Sequence, residues 1–255
     1  MNDIQKLNDS RGLSLEKVGI KGIKIPLLFF SKSSISQQAL ATVDFFTDLV
    51  STSKGTHMSR FVEILHNISD KYFDLATLKK IVKEAKKALE SKKVYIKIAF
   101  SYSVRKESPV SKKKSFNIYK CFLTGELDNG LYKNYLELEI PVMLLCPCSK
   151  AISKYSAHNQ RATVRLKIEP VKKYWIEDYI KMVEHEASSE LFALLKRPDE
   201  KYVTEKSYDN PKFVEDMVRD VALSLKKHGI KSCEVSCESY ESIHDHNAYA
   251  MLRSK

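Results

Sequence analysis

The chain has 255 residues, of which 43% are hydrophobic, and a formal net charge of +11. This length and composition predict a folded globular protein, and the positive charge favours an anionic partner: nucleic acid, membrane lipid or a polyphosphate metabolite. The longest apolar runs, such as residues 140–146, fall far short of the roughly 20 residues that cross a bilayer, which excludes a membrane-spanning helix.

The first half of the chain combines strand and helix patterns. It begins without the apolar segment of a secretory signal, so we expect a cytoplasmic protein. Stretches with alternating apolar residues predict strands over residues 18–30, 37–49, 94–102 and 116–122. Apolar residues at helical spacing predict helices over residues 58–68 and 75–89, with Asp74 as the N-cap of the second. The order is therefore β-β-α-α-β-β.

The second half repeats this order. Strand patterns cover residues 136–144, 162–168 and 232–240, and helical patterns cover residues 176–183 and 214–225. We expect Asn210 and Pro211 to begin the last helix as its N-cap and first helical residue. No flexible linker separates the halves. We therefore predict an α+β protein with two tightly joined, duplicated units, residues 1–128 and 129–255, each an antiparallel sheet with two helices on one face.

The segment richest in reactive side chains follows the strand over residues 136–144. Cys146 and Cys148 end that strand, and His158 opens the next one after a polar loop. If the two strands are neighbours, Cys146 and His158 come close together. A thiolate and a neutral imidazole suit zinc, and a catalytic zinc has three protein ligands and an open position for water. The structural alternative is a small buried cysteine beside a surface histidine.

The other cysteines and histidines are open to two interpretations. His244 and His246 form either a ligand pair or proton shuttle, or part of a polar C-terminal loop. Cys233 and Cys237 alternate with apolar residues, which favours the core over a ligand role. The five cysteines of the chain lack the density of a disulfide scaffold, so we expect reduced thiols or thiolate ligands.

Several charged residues also have a functional and a structural interpretation. Glu200 is predicted in a loop between helices, where carboxylates are normally solvated, and Glu215 lies beside the apolar stripe of its helix, where a salt bridge is the default role. His57 and Arg60 stand at the start of a helix, where they either help to bind a phosphate or cap the helix. Glycine-rich phosphate loops, H-E-x-x-H and paired C-x-x-C motifs are absent from the sequence.

Four long segments together resemble the type IB GTP cyclohydrolases: residues 54–61 (KGTHMSRF), 146–161, 191–220 and 241–249. The resemblance extends along nearly the whole chain. It implies the tunnelling fold (T-fold), with two T-fold units in tandem and homotetramers whose active sites form at subunit interfaces. It also implies conversion of GTP and water into 7,8-dihydroneopterin triphosphate and formate, the entry to folate and to deazapurine bases of the queuosine type.

The resemblance also implies roles for individual residues. Cys146 and His158 would bind the metal ion, which could be zinc, manganese or iron, and Glu200 would be the third protein ligand. Glu215 would anchor the guanine edge, and His246 or else His244 would assist proton transfer. Cys148 would lie near the site without ligating the metal. No organic cofactor is expected. We add the hypothesis that the cations close to these segments, Arg60, Lys150, Lys154 and Arg161, clamp the triphosphate.

Two alternatives compete with this interpretation. The nitrile reductase of queuosine biosynthesis shares the fold, uses its cysteine as a nucleophile that forms a thioimide, and needs NADPH, but its Glu-Ser-Lys-Ser-Leu-Lys type of motif is absent here. A basic RNA-binding module would use the strand face with Arg161, Arg165 and Lys167, and its binding would weaken steeply with salt. That second alternative leaves the cysteine and histidine cluster unexplained.

Overall fold

The computed structural model describes residues 5, 7–33, 35–68, 72–171 and 174–254. Its strands are β1 (Leu15–Phe30), β2 (Ser36–Leu49), β3 (Lys93–Glu107), β4 (Lys114–Asp128), β5 (Leu131–Leu145), β6 (Asn159–Ile168), β7 (Ser189–Glu190), β8 (Cys233–Ser239) and β9 (Ala248–Ser254). Its helices are α1 (Met58–His66), α2 (Leu75–Ala88), α3 (Pro147–Ile152), α4 (Ile176–His185), α5 (Arg197–Asp209) and α6 (Val214–Lys227). Within these ranges, no helix has the length and apolar character needed to span a bilayer.

The chain forms two compact units. The first contains the described residues up to Ser101 together with Phe122–Tyr135, and the second contains Tyr102–Cys121 together with the described residues from Leu136 onward. These two units are defined by which residues contact each other in space. The predicted boundary between residues 128 and 129 is instead based on a repeated order of strands and helices, so the two divisions do not test each other. The tandem repeat therefore stays a prediction.

The first unit is an antiparallel sheet that carries α1 and α2. Strand β1 pairs with β2, and β2 pairs with β3. The ring of Phe61 on α1 meets Phe45 of β2 edge to face, with ring centroids 5.1 Å apart, so the apolar stripe of this helix packs on the sheet. Asp74 caps α2 as predicted, because its carboxylate accepts a hydrogen bond of 2.7 Å from the Thr77 N–H.

The second unit is also antiparallel. Strands β5, β6, β8 and β9 are neighbours in that order, and the short β7 lies beside β5. Helix α6 contacts β8, β9 and α4. The buried faces of this sheet and of α4 and α6 form one apolar core whose members include Leu138, Ile140, Val164, Leu166, Ile180, Val183, Met217 and Val221. The α+β class with antiparallel pairing is thus confirmed.

The second unit differs from the sequence prediction in several details, among them helix α3 in the segment predicted as a polar loop and the short strand β7. Glu200 lies in helix α5 and not in a loop, and strand β9 was not predicted. Asn210 is the C-cap of α5, so it does not begin the last helix. The N-cap of α6 is Phe213, whose N–H donates to the carboxylate of Asp216 at 3.1 Å. Residues 210 and 211 belong to the connection between two helices that follow each other closely.

Candidate functional site

A cavity of about 390 Å³ lies at the end of β5 in the second unit. Six of the side chains that line it are candidates from the sequence: Cys146, Cys148, His158, Glu215, His244 and His246. They come from the β5–α3 junction, the start of β6, the start of α6 and the loop between β8 and β9. The fold therefore gathers at one place residues that are up to 100 positions apart in the chain.

Cys146 and His158 face each other across two neighbouring strands. The β5–β6 pairing runs as far as Leu145 opposite Asn159, and the Cys146 N–H then donates to the His158 carbonyl at 3.1 Å. Residues directly opposite each other in an antiparallel pair have Cβ atoms roughly 4.5–5.5 Å apart. The structure thus brings this thiol and this imidazole together at the cavity, as the sequence predicted.

Ser149 fixes the turn that connects these two residues. Its hydroxyl donates to the Cys146 carbonyl at 3.3 Å and accepts from the His158 N–H at 3.2 Å. Its own N–H points to the Cys146 sulfur at 3.5 Å, at the first turn of α3. These contacts hold the thiol at the edge of the cavity, and Cys146 is partly exposed there.

His158 is held by two residues that the sequence did not indicate. Its Nδ1 lies 2.8 Å from Oε1 of Gln160, and Nε2 of Gln160 donates to Oε1 of Glu241 at 3.3 Å. Both Gln160 and Glu241 line the cavity. The only signal in the sequence is the spacing of two positions between His158 and Gln160, which puts both side chains on one face of a strand.

The loop between β8 and β9 brings two imidazoles to the cavity wall. The rings of His244 and His246 stack with centroids 5.0 Å apart, and Nδ1 of His246 lies 3.3 Å from the carboxylate of Asp245. The loop is polar and largely exposed, as one of the two interpretations predicted. Its histidines nevertheless reach the same cavity as Cys146, so both remain candidates for proton transfer.

Glu215 lies in the first turn of α6 and opens into the cavity. Among the described residues it has no ion-pair partner, so the default role as a salt bridge does not apply to it. The neighbouring Lys212 is engaged, because its Nζ lies 2.6 Å from the carboxylate of Asp220. The Glu215 carboxylate lies at the positive end of the helix dipole, where it can accept hydrogen bonds from a ligand.

Glu200 does not line this cavity. It is exposed in the first turn of α5, next to the buried Asp199. Within the part of the chain that the structure describes, no group of three or more His, Cys, Asp or Glu side chains is placed to hold a metal ion. The cavity offers the soft donor pair Cys146 and His158, whose chemistry fits zinc or a related ion.

The residues predicted to bind phosphate lie outside the cavity as well. His57 and Arg60 belong to the first unit, where they line a separate pocket of about 190 Å³, and the Arg60 guanidinium donates to the Ala88 carbonyl at 2.9 Å. Lys150 lies over the ring of Tyr208, with its Nζ 4.2 Å from the ring centroid. Arg161 is exposed on β6.

The remaining cysteines are part of the core. Cys121, Cys233 and Cys237 are buried. Burial raises the pKa of the Cys237 thiol to about 12, and burial also raises the pKa of Cys121 well above its ordinary value. Both thiols therefore stay protonated at neutral pH, which makes them poor metal ligands. The sequence interpretation of Cys233 and Cys237 as core residues agrees with this placement.

The model of a family described as type I GTP cyclohydrolase folE2 matches residues 1–250. GTP cyclohydrolase FolE2 of Thermosipho africanus is 46% identical over 255 residues, which cover 100% of this chain and 98% of that protein. The FolE2 protein of Desulfosudis oleivorans is 46% identical over 258 residues, covering 99% and 97% of the two chains.

Solved structures give a more distant likeness. A hyper-thermostable mutant of AgUricase superimposes with a TM-score of 0.54 and 9% identity, over 94% of this chain and 92% of the uricase chain. Uricase from Arthrobacter globiformis gives a TM-score of 0.50, also at 9% identity, with the same coverage. At this level of identity the likeness concerns the fold alone.

Proposed function

The chain belongs to the type I GTP cyclohydrolase FolE2 family, and from that premise we propose that it converts GTP and water into 7,8-dihydroneopterin triphosphate and formate with a divalent metal ion held by Cys146 and His158. It is a GTP cyclohydrolase and hence a hydrolase of folate biosynthesis. The main support for this metal site is that the thiol and the imidazole lie opposite each other and line one cavity. We place the reaction in the cytoplasm, where a thiolate ligand stays reduced.

Cys146 and His158 would hold the ion from two neighbouring strands. Their donor atoms suit zinc by softness, and manganese and iron are the other candidates for the ion that supports turnover. When bound, a divalent ion supplies Lewis-acid activation of water for attack on C8 of the guanine ring. Cys148 lines the same cavity from the first turn of α3, and we propose that it lies near the ion without ligating it.

Glu215 and the two histidines would act on the substrate. The Glu215 carboxylate can accept the two N–H groups at the guanine edge, N1 and the 2-amino group, because a carboxylate has acceptor sites on two oxygens. His246 or else His244 would move protons while the ribose opens and the new ring closes. Imidazoles suit this task since their ordinary pKa lies near neutral pH.

The third ligand is the point at which we propose that a second copy of the chain is needed. Glu200 is exposed and lies outside the cavity of its own chain, so a Glu200 ligand would reach the ion from a neighbouring subunit. This arrangement accords with a homotetramer of tandem T-fold units, residues 1–128 and 129–255, whose sites form at subunit interfaces. His57 and the cationic side chains of Arg60, Lys150 and Arg161 would bind the triphosphate at the same interface.

Mixed oligomers test the shared site. Cys146→Ala and Glu200→Gln proteins should each be inactive on their own. If Glu200 acts across an interface, refolding the two variants together should restore native composition in about one quarter of the sites. Recovery of activity in the mixture supports the proposal, and two inactive variants that stay inactive when mixed would refute it.

The proposed phosphate-binding residues are tested by kinetics. Arg60→Ala and Arg161→Ala should each raise KM for GTP, and an unchanged KM would show that these residues do not bind the substrate.

GTP turnover with defined metals tests the proposed function. Protein stripped with a chelator is given zinc, manganese or iron(II) singly, and pterin fluorescence is measured after dephosphorylation and oxidation of the product. At least one metal should restore the wild type, and none should restore Cys146→Ala. Activity that survives both the chelator and Cys146→Ala would contradict the metal mechanism. NADPH oxidation with a nitrile substrate, measured in parallel, should be absent, which separates this chain from a nitrile reductase.

A further inference from the structure

Gln160 joins His158 to Glu241 in a chain of hydrogen bonds. Oε1 of Gln160 lies 2.8 Å from Nδ1 of His158, and Nε2 of Gln160 lies 3.3 Å from a carboxylate oxygen of Glu241. The Ser242 hydroxyl also donates to Oε1 of Gln160, at 3.4 Å. His158 directly precedes β6, Gln160 is the second residue of that strand, and Glu241 follows the end of β8.

The partner at each end decides which way the Gln160 amide faces. An ionised carboxylate only accepts hydrogen bonds, so the group that points to Glu241 must be the NH₂ of the amide. The carbonyl oxygen of Gln160 then faces His158. Because a carbonyl oxygen cannot donate, Nδ1 of His158 must carry the proton in this contact. The Ser242 hydroxyl agrees with this direction, since it can donate to the same oxygen.

The orientation of the amide determines which imidazole nitrogen is available to the cavity. A neutral imidazole has one protonated nitrogen and one with a free lone pair. With Nδ1 protonated toward Gln160, Nε2 of His158 keeps its lone pair. We propose that Gln160 is a positioning residue for the metal site. It holds His158 with Nδ1 protonated and Nε2 available to the ion, and Glu241 fixes the orientation of the Gln160 amide. This inference rests on the proposed function of Cys146 and His158.

Partners of this kind matter in metal sites because they fix both the tautomer and the ring orientation of the ligand. Loss of such a partner typically lowers metal affinity by about 10- to 100-fold. In this chain the partner is a neutral amide, so it directs the imidazole without making it an imidazolate. The carboxylate of Glu241 is one hydrogen bond further from the ring, where it fixes the direction of the Gln160 amide.

Cobalt(II) binding tests the inference without reference to turnover. Metal-free protein is titrated with Co²⁺ in competition with a chelator, and the thiolate-to-cobalt absorption band reports occupancy. Gln160→Leu should lose about 10- to 100-fold in affinity. The swapped pair Gln160→Glu with Glu241→Gln restores an acceptor toward His158 and a donor toward position 160, and should keep most of the affinity. The matched control is Thr163→Val, which removes a side-chain hydrogen bond to Tyr240 from the same strand. This variant should bind Co²⁺ as tightly as the wild type does.

The tautomer of His158 can be measured directly in the metal-free protein. Two-bond nitrogen–proton couplings at a pH where the ring is neutral should show the proton on Nδ1 in the wild type and in the swapped pair. In Gln160→Leu the proton should move to Nε2 in most molecules. A wild-type ring protonated on Nε2 would overturn the inference even if a variant failed to fold.

The controls separate this inference from the proposed function. If the wild type shows no thiolate band with Co²⁺, or if His158→Ala binds as tightly as the wild type, the metal site itself is refuted. If the wild type binds Co²⁺ and His158→Ala does not, yet Gln160→Leu keeps full affinity, only the role of Gln160 is refuted.

Discussion

Lys106 and Glu184 form a buried ion pair in the second unit, and its removal should produce a large and non-additive loss of stability. The Lys106 ammonium lies 2.9 Å and 3.0 Å from the two carboxylate oxygens of Glu184 and 2.8 Å from the Leu191 carbonyl. The two side chains are only 12% and 9% exposed. The Tyr119 hydroxyl donates to the same carboxylate at 2.7 Å. Burial and the Glu184 charge raise the pKa of Tyr119 far above its ordinary value, so this donor stays protonated.

The magnitude follows from what each substitution leaves behind. Lys106→Met leaves a buried carboxylate with no cation beside it, and loss of one partner of a buried pair costs about 3–5 kcal/mol. Glu184→Gln alone leaves a buried ammonium next to the Leu191 carbonyl and the ring of Phe192 but without the carboxylate that pairs with it, with a comparable cost. The double variant lacks both charges of this pair, and its glutamine still accepts from Tyr119. Its cost should therefore be about 1–3 kcal/mol, chiefly the lost hydrogen bonds of the pair, because the Leu191 carbonyl still accepts from Nδ2 of Asn117 at 3.0 Å.

Urea unfolding of the wild type, both single variants and the double variant at one pH measures the free energies of this cycle. The double variant should be more stable than either single variant. If the two losses simply add, the buried pair does not contribute in the way described here. The pair also contacts the segment before α5 through the Leu191 carbonyl, so GTP turnover of Lys106→Met should fall with its stability.

Two further predictions concern stability. Gly19 has φ +157°, and a Cβ there would lie 2.1 Å from the Phe45 carbonyl oxygen. At Gly22 a Cβ would meet no atom within 4 Å, so Gly22→Ala should cost only the roughly 1–2 kcal/mol of left-handed backbone strain. Gly19→Ala should therefore destabilise the protein more than Gly22→Ala does, as measured by thermal unfolding. Equal losses for Gly19→Ala and Gly22→Ala would contradict the reasoning. Desolvation would raise the pKa of Asp199, but hydrogen bonds from the Ser111 side chain and backbone and from the Lys196 and Val110 backbones outweigh it and hold that pKa well below the ordinary value. The ionised Asp199 therefore stabilises the folded protein fully at pH values above the ordinary pKa of an aspartate, and this stabilisation is lost as the pH falls toward the lowered pKa of the folded state. Below about pH 5, the melting temperature of Asp199→Asn should consequently depend less on pH than that of the wild type.

Much of the site could be predicted because it follows from neighbouring strands. The alternating pattern of β5 and β6 places Cys146 and His158 at facing strand ends, and a short polar loop between them leaves few other arrangements. Gln160 could not be recognised in the same way. Its role depends on Glu241, which is 81 positions away and reaches the cavity only through the β6–β8 pairing.

Helix α5 escaped prediction because packing, and not its own pattern, stabilises it. Its buried residues are Asp199, Val203 and Ser207, of which only one is apolar. The carboxylate of Asp199 is satisfied by hydrogen bonds from Val110 and Ser111, almost 90 positions earlier in the chain. A helix that is buried through polar contacts of this kind shows no apolar stripe, so a search for helical periodicity interprets it as a loop.

X-ray absorption at the zinc K edge of the re-metallated protein is the most direct measurement of the metal site. We expect a sulfur neighbour at about 2.3 Å in the wild type and in the matched control Cys148→Ala, together with lighter nitrogen or oxygen neighbours. In Cys146→Ala the sulfur neighbour should disappear. A sulfur neighbour that persists in Cys146→Ala, or that is absent from the wild type, would show that the ion is not held by the thiolate opposite His158.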